Sequence, residues 1–339
     1  MALISADALQ ALASRALERH GVSASDASDV AGILVMGDLL GLHTHGVSRI
    51  SEYGQRLALG GIKAQPHIAI ERPAPALARI DGDNGLGPLV GMRALKTAMA
   101  MAREAGIAAA FARSSNHFGP VGPYNLIAAE EGFASIVGSN ASVSIAPTRG
   151  AEARLGNSPM GFAIPNPAGR PIVLDMAMSV VARAKIRDAL KKGTTIPDTW
   201  ATDANGRPTS DPKAALEGFL QPIGGYKGYG LALIVDLFAG LLSGAAYLTH
   251  VSSWAVAPEK PQDLGHFFIV IDAKRLGSAE WLAARMADFA AILHDTPPTD
   301  STRPVRLPGE NELDTLERQR RDGIALDDAV LASLEGAGR

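Results

Sequence analysis

Apolar positions recur at helical spacing from the start of the chain. Leu9, Leu12 and Ala16, and then Val30, Ile33 and Leu34, fall three and four residues apart, as one buried helix face requires. Ser5 and Ser23 stand just ahead of these runs as N-caps, and Asp26, three residues after Ser23, fits a variant of the capping box. A third helix is expected over residues 45–59, stopped by Gly60-Gly61. Residues 1–75 therefore read as a helical block.

From Ala76 the grain changes to short β-branched or apolar runs that alternate with Ala-rich helical ones. Strands are expected at 77–80, 107–111, 134–137, 161–164 and 172–174, with helices at 90–105 and 125–131 between them. A further strand at 267–271 and a helix at 281–293 complete an α/β unit over 76–295. The Thr-, Pro-, Asp-, Asn- and Gly-rich stretch 194–212 reads as a surface excursion. Residues 231–248 are apolar for nearly a membrane span's length. Because Asp236, Gly240 and Gly244 interrupt them and neither flank is strongly basic, they predict a buried helix. Beyond Asp295 the chain turns polar, with Pro297, Pro298, Pro304 and Pro308, and ends in a helix expected at 326–334. Residues 296–339 form an arm that packs on the N-terminal block or on a neighbouring subunit.

Composition narrows the function. A length of 339 residues with 47% hydrophobic content supports one large or two modest domains. The net charge of −3, with both signs interspersed, gives no electrostatic footprint for nucleic acid or an anionic membrane, so small molecules are the expected ligands. With no cysteine there is neither a disulfide nor thiolate chemistry. The opening Met-Ala-Leu-Ile-Ser-Ala-Asp lacks the basic and apolar regions of a secretory signal, and the expected location is the cytoplasm.

Reactive side chains concentrate between Gly41 and Tyr53, where His43, Thr44, His45, Arg49 and Tyr53 lie close together. On a helix from about His45, residues 45, 49 and 53 would share one face. An imidazole exchanges protons near neutral pH, and a guanidinium fork fits a carboxylate bidentately. That pairing suits a reaction on a small carboxylic acid; the plainer alternative is a solvated helix start. In a strand, His43 and His45 would instead point the same way and could ligate zinc. Ser115-Asn116-His117-Phe118-Gly119-Pro120 follows a strand, where ligands of open α/β sheets bind, and makes His117 a second acid/base candidate. Gly224-Gly225-Tyr226-Lys227-Gly228-Tyr229-Gly230 offers backbone amides and one lysine to an anion at a helix start. Asp175, at a strand end before Met176 and Ala177, can cap a helix or hold a ribose or amide. The basic residues Arg183, Lys185, Arg187, Lys191 and Lys192 are most simply a solvated helix face. Residues 81–91 resemble a dinucleotide fingerprint, but after Gly85 and Gly87 the third glycine is replaced by Val90, so a turn is the better reading.

Taken together, these stretches resemble the malate/L-lactate/ureidoglycolate dehydrogenase family of NAD(P)-dependent 2-oxoacid and cyclic-imine reductases. The signposts are His43-Thr44-His45-Gly46 with Arg49 and Tyr53, Asn116-His117-Phe118-Gly119, Asp175-Met176-Ala177, Ile196-Pro197-Asp198-Thr199-Trp200, Gly206-x-Pro208-Thr209-x-Asp211-Pro212, and Lys227-Gly228. The resemblance implies an α/β, non-Rossmann nicotinamide-binding sheet domain, an active site near the boundary of a homodimer, and NAD or NADP as cofactor, NAD favoured. It assigns proton exchange to His45 or His117 and the substrate carboxylate to Arg49, with Tyr53 and Thr44 beside them. Asp175, Met176, Ala177, Lys227 and Gly228 fall at the cofactor, and Ser142 lies next to the position of a cofactor-side serine, here Ala141. Departures occur at Gly156-Asn157-Ser158-Pro159 and at Pro147-Thr148-Arg149-Gly150, where Arg149 can meet a second anionic group. The expected activity is reversible reduction of a small 2-oxo acid to its 2-hydroxy acid. Reduction of a cyclic imine carboxylate is the alternative, and a metal-dependent hydrolase is a third reading.

Overall fold

A computed structural model of the chain describes residues 2–336. The N-terminal block comprises β1 (Ala2–Ile4), α1 (Ala6–Glu18), α2 (Ala24–Leu39) and α3 (Ile50–Ala58). Its caps form as the sequence suggests: Ser5 Oγ accepts the Ala8 N–H, and Ser23 Oγ accepts the Asp26 N–H while donating to the Asp26 carboxylate at 2.8 Å. Leu9, Ala13 and Leu17 of α1 meet Val30 and Leu34 of α2 in one buried cluster. Each such Leu or Val contributes roughly 1.5–3 kcal/mol by leaving water.

The third helix begins at Ile50, not near 45, because residues 43–49 are two single 3-10 turns, His43–His45 and Val47–Arg49, separated at Gly46. Asp38 causes the break. Its buried carboxylate accepts the Val47 N–H at 2.8 Å and bonds His43 Nδ1 at 3.0 Å, drawing the loop back onto α2. Gly46 permits this, since a Cβ there would lie 2.3 Å from that carboxylate.

The α/β region continues with β2 (Ala69–Ala74), β3 (Leu77–Asp81), α4 (Gly87–Ala105), β4 (Ile107–Ser115), α5 (Gly122–Glu130) and β5 (Phe133–Ser139). After these come the short β6 (Val143–Ile145) and β7 (Leu155–Gly156), then β8 (Met160–Ile164), β9 (Ile172–Met176), α6 (Arg183–Lys192), α7 (Pro212–Glu217) and α8 (Tyr226–Asp236). The chain ends with β10 (Leu264–Asp272), α9 (Ala279–His294), α10 (Glu310–Asp322), β11 (Ile324–Leu326) and α11 (Asp328–Glu335). Seven strands form one mixed sheet in the order β2-β3-β4-β10-β5-β8-β9, in which only β3 and β4 run parallel. The late strand β10 is therefore inserted between β4 and β5 and pairs antiparallel with both.

Alternation along the strands sorts side chains to two cores. Ala108, Ala110, Ala112, Phe268 and Val270 join the cluster built with α4 and α5, whereas Phe111, Phe267 and Ile269 join the opposite one, with Phe238. Both faces of the sheet are covered. The polar edge strand β2, exposed at every residue, escaped the periodicity reading because it has no buried face.

Two further expectations need correction. The run 231–248 is not one buried helix: α8 ends at Asp236, a π turn spans Leu237–Leu242, and only one side is covered. Ala232, Val235 and Ala239 face the core, while Leu231, Ile234, Leu237, Leu241 and Leu242 are 37–59% exposed. No helix among the described residues is long and apolar enough to cross a membrane. The final helix starts at Asp328 behind an Asp327 cap because residues 324–326 pair with β1 as a strand. Elsewhere along the arm, Gln319 Nε2 donates to the carbonyls of Asp38 (2.8 Å) and Leu39 (3.1 Å), and Gly309 lies against the backbone of Val173.

Candidate active site

Three segments distant in sequence converge where α3 meets the loop after β4. Tyr53, fully buried on α3, places its hydroxyl 2.8 Å from His117 Nδ1 and 3.2 Å from the His117 carbonyl. The ring of His45 stacks over His117 at 5.6 Å, and Trp254 lies against His117 at 4.9 Å. Arg49 holds its guanidinium carbon 5.4 Å from the Trp254 ring centroid. His45, Arg49, Tyr53 and His117 are thus gathered with Trp254 into one cluster, although by a bent loop and not by the single helix face expected.

Electrostatics in this cluster favour neutral imidazoles. Burial, then the positive Arg49, pushes His45 down to about 4; burial pushes His117 well below the ordinary histidine value, with His45 and Arg49 adding to it. The Tyr53 phenol is raised by burial and keeps its proton. That single proton has two destinations. Donated to His117 Nδ1, it leaves the hydrogen on Nε2; donated to the His117 carbonyl, it lets Nδ1 carry the hydrogen and leaves Nε2 a base. One hydroxyl therefore accommodates both tautomers.

Arg49 does not present a free fork. Its Nε donates to the Thr44 carbonyl at 2.7 Å, and Nη1 reaches both Glu52 oxygens, at 2.7 and 2.9 Å. Nη2 donates to no group among the described residues, so the bidentate clamp expected from sequence becomes a single oriented donor. Thr44 itself is exposed, with Oγ1 2.9 Å from His45 Nδ1. His43 turns away to Asp38, whose hydrogen bond raises the pKa of its imidazole. Among the described residues no three His, Asp or Glu side chains are grouped as a metal site.

Behind the histidines, His266 on β10 joins the two halves of the sheet. Its Nδ1 lies 2.9 Å from the Ser139 hydroxyl and its Nε2 2.7 Å from the Ser115 hydroxyl, and Ser139 Oγ also reaches the Asn140 (2.9 Å) and Gly265 (3.2 Å) carbonyls. Burial drives His266 down to about 3 and keeps it neutral. Gly87, from the failed fingerprint, has a different use: a Cβ there would sit 2.2 Å from the Asn116 carbonyl and 2.3 Å from that of His117. Asp83 and Asn84 have positive φ and Gly85 N bonds Gly82 O, which makes that segment the turn expected.

The cofactor-side candidates lie around the ends of β5, β9 and α8. Asp175 caps α5, accepting the Gly122 N–H at 2.7 Å, and burial raises its carboxyl to about 6. Ser142 donates to the Ser252 carbonyl at 3.3 Å, tying this side to the segment that carries Trp254. Met176 closes β9 and Ala177 follows it, after which Met178 bonds Asn157 and Ile223. Lys227 is exposed in the first turn of α8, and Gly228 is buried where a Cβ would strike the Ile223 carbonyl at 2.0 Å. Arg149 lies exposed at positive φ, with no carboxylate partner among the described residues. Ser144 Oγ, Ser158 Oγ and Arg183 Nε are buried without partners in the same region, capacity that a ribose or amide can use.

Sequence reasoning missed Asp38, Arg56, Trp254, Gln262 and His266. Asp38 sits within a helix, Arg56 resembles a surface residue, and the other three lie more than a hundred positions from the residues they serve, 127 for His266 and Ser139 and 145 for Gln262 and His117.

The sequence profile described as malate/L-lactate dehydrogenase matches residues 4–335. The malate dehydrogenase of Pyrococcus abyssi is 36% identical, over 98% of this chain and 93% of that protein. The NAD(+) ureidoglycolate dehydrogenase of Escherichia coli K12 is 31% identical over 96% and 93%, and the NADP(+) (2R)-3-sulfolactate dehydrogenase of Chromohalobacter salexigens 33% over 98% and 97%. Among solved structures, sulfolactate dehydrogenase from Methanocaldococcus jannaschii superposes with a TM-score of 0.91 at 33% identity, covering 99% of this chain and 96% of that one. The delta1-piperideine-2-carboxylate reductase of Pseudomonas syringae pvar. tomato superposes with a TM-score of 0.89 at 29% identity, covering 99% of each.

Proposed function

The chain belongs to the malate/L-lactate dehydrogenase family, and from that premise we propose that it interconverts a small 2-oxo acid and its 2-hydroxy acid with NAD or NADP. Relatives named for each cofactor support both. The observation that carries the site assignment is the Tyr53–His117 pair, stacked under His45 and set beside Arg49. His117 exchanges the proton at the substrate oxygen through Nε2, while Tyr53 selects the tautomer that gives or takes it. Arg49 meets the substrate carboxylate with Nη2, oriented by Thr44 and Glu52. His45 covers the other side of His117 and keeps it desolvated.

When bound, the nicotinamide supplies or receives the hydride. Ser142, Asp175, Met176, Ala177, Lys227 and Gly228 would hold the cofactor, and the unpartnered Ser144, Ser158 and Arg183 atoms fit such a group. With a single parallel strand pair the sheet lacks a dinucleotide-binding run of parallel strands, which supports a non-Rossmann mode. We read residues 1–75 as the substrate-side block, 76–295 as the cofactor domain and 296–339 as the arm. A homodimer fits the apolar faces left open on Leu231, Ile234, Leu241 and Leu242 and on Trp281, Phe289 and Ile292 of α9.

The test is a scan of 2-oxo acids and cyclic imine carboxylates with NADH and NADPH, followed by absorbance. His117→Ala should lower turnover about 10²–10⁴-fold with a modest change in cofactor affinity. An unchanged rate would remove His117 from the chemistry. The piperideine carboxylate reductase likeness favours cyclic imines as the second reading, which uses the same carboxylate donor.

A further inference from the structure

The indole of Trp254 touches three of the groups to which the reaction is assigned and has been given no part in it. Its centroid lies 4.9 Å from that of His117 and 6.4 Å from that of Tyr53, and the Arg49 guanidinium carbon is 5.4 Å from it. An indole has no proton to exchange near neutral pH, so its contribution is shape and apolar surface. A small acid with its carboxylate at Arg49 and its reacting carbon at His117 is bounded on a third side by this ring. Trp254 is only partly buried, so some of its surface is left to face such a molecule.

The segment around Trp254 has neither helix nor strand of its own; it is held by a turn in which Val256 and Ala257 donate to the Ser253 carbonyl, by Ser142 on the Ser252 carbonyl, and by Arg56 on the residues that follow. The Arg56 side chain, 2% exposed, donates to the carbonyls of Pro258 (3.3 Å), Lys260 (2.8 Å) and Gly61 (3.0 Å), and to Asn116 Oδ1 (2.8 Å) and Gln262 Oε1 (3.1 Å). All five acceptors are neutral. A buried guanidinium tolerates such surroundings only when its donors are met, and here they are spent on the backbone behind Trp254 and on the loop that carries His117. Gln262 accepts the His117 N–H at 3.1 Å with the same oxygen, so indole and imidazole are located from one guanidinium. Gly61 makes the contact close: a Cβ there would stand 2.0 Å from the Pro258 carbonyl.

We propose that Trp254 is a specificity-determining wall of the substrate pocket, admitting 2-oxo acids by the size of the group beyond the carbonyl, and that Arg56 is the positioning residue that holds it there. The proposal rests on the 2-oxo acid reading above. Removing the wall should favour bulk, because filled or emptied apolar volume discriminates substrates by about 10–200-fold for a single methylene-sized difference.

The experiment measures kcat/KM for pyruvate and for 4-methyl-2-oxopentanoate in the wild type, Trp254→Phe, Trp254→Ala and Arg56→Lys. In Trp254→Ala the ratio of the bulky to the small acid should rise about tenfold or more, with Trp254→Phe, the variant kept for its safer folding, in between. Arg56→Lys loses the planar set of donors and should shift the ratio in the same direction, with a change in tryptophan emission. Equal loss on both acids in Trp254→Ala and Trp254→Phe would overturn the wall. Selectivity and emission left unchanged in Arg56→Lys would overturn its positioning role. A wild type inactive on every 2-oxo acid would instead bring down the functional reading, and this proposal with it.

Discussion

Replacing Asp38 by alanine tests whether the bent loop 43–49 is held by one carboxylate. The carboxylate is 1% exposed and accepts the Val47 N–H at 2.8 Å, while His43 Nδ1 lies 3.0 Å from its other oxygen. A hydrogen bond to a charged group contributes about 1.5–3 kcal/mol. Its loss leaves the Val47 amide buried, so Asp38→Ala should cost roughly 2–4 kcal/mol in urea unfolding, and Asp38→Asn less, because its amide oxygen still accepts. The His43 part is pH-dependent. Since the folded imidazole has a raised pKa, its stabilisation is fully present below the unfolded value of about 6.5 and is lost as pH rises through the folded one. The cost of Asp38→Ala should therefore be larger at pH 5.5 than at pH 8.5, while in a His43→Ala background the difference should shrink. Because the loop carries His45 and Arg49, an ångström of drift should also lower kcat about 10²-fold. Equal unfolding midpoints and equal turnover for Asp38→Ala and the wild type would refute the reasoning.

Other outcomes follow from the same geometry. Gly46→Ala, whose Cβ would stand 2.3 Å from the Asp38 carboxylate, should reproduce the loss of turnover without altering a polar group, as steady-state kinetics would show. Tyr53→Phe removes the partner of His117 Nδ1, a hydrogen bond of about 0.5–1.5 kcal/mol, and should lower kcat by up to about tenfold in both reaction directions. With His45 pushed to about 4 and His117 also depressed, both rings stay neutral in mild acid; kcat/KM for oxidation of the 2-hydroxy acid should not fall between pH 8 and about 6 as a base of ordinary pKa would make it. If the exposed apolar faces meet in a dimer, Leu241→Asp should halve the mass seen by sedimentation while leaving the circular dichroism unchanged.

Local signals in the chain were readable and distant ones were not. Ser5 and Ser23 announced their helices because a cap acts within three residues, and the strands around Ala110, Ile136 and Phe268 betrayed themselves by apolar runs. His45, Arg49, Tyr53 and His117 stood out because few residue types can do acid/base or carboxylate chemistry. What fixes those side chains left no mark. Asp38 bends the expected helix from within α2, and Arg56 satisfies its donors on residues up to 206 positions away. The run 231–248 shows the limit of composition: hydrophobicity says that a surface avoids water, not which partner covers it.

The place of β10 has a consequence for how the protein is made. On the ribosome, β4 and β5 emerge well over a hundred residues before the strand that lies between them, so the nascent chain carries two unzipped edges until residue 272 has cleared the exit tunnel. His266 is the last stitch, joining Ser115 on one side to Ser139 on the other, and folding should be correspondingly slow and late.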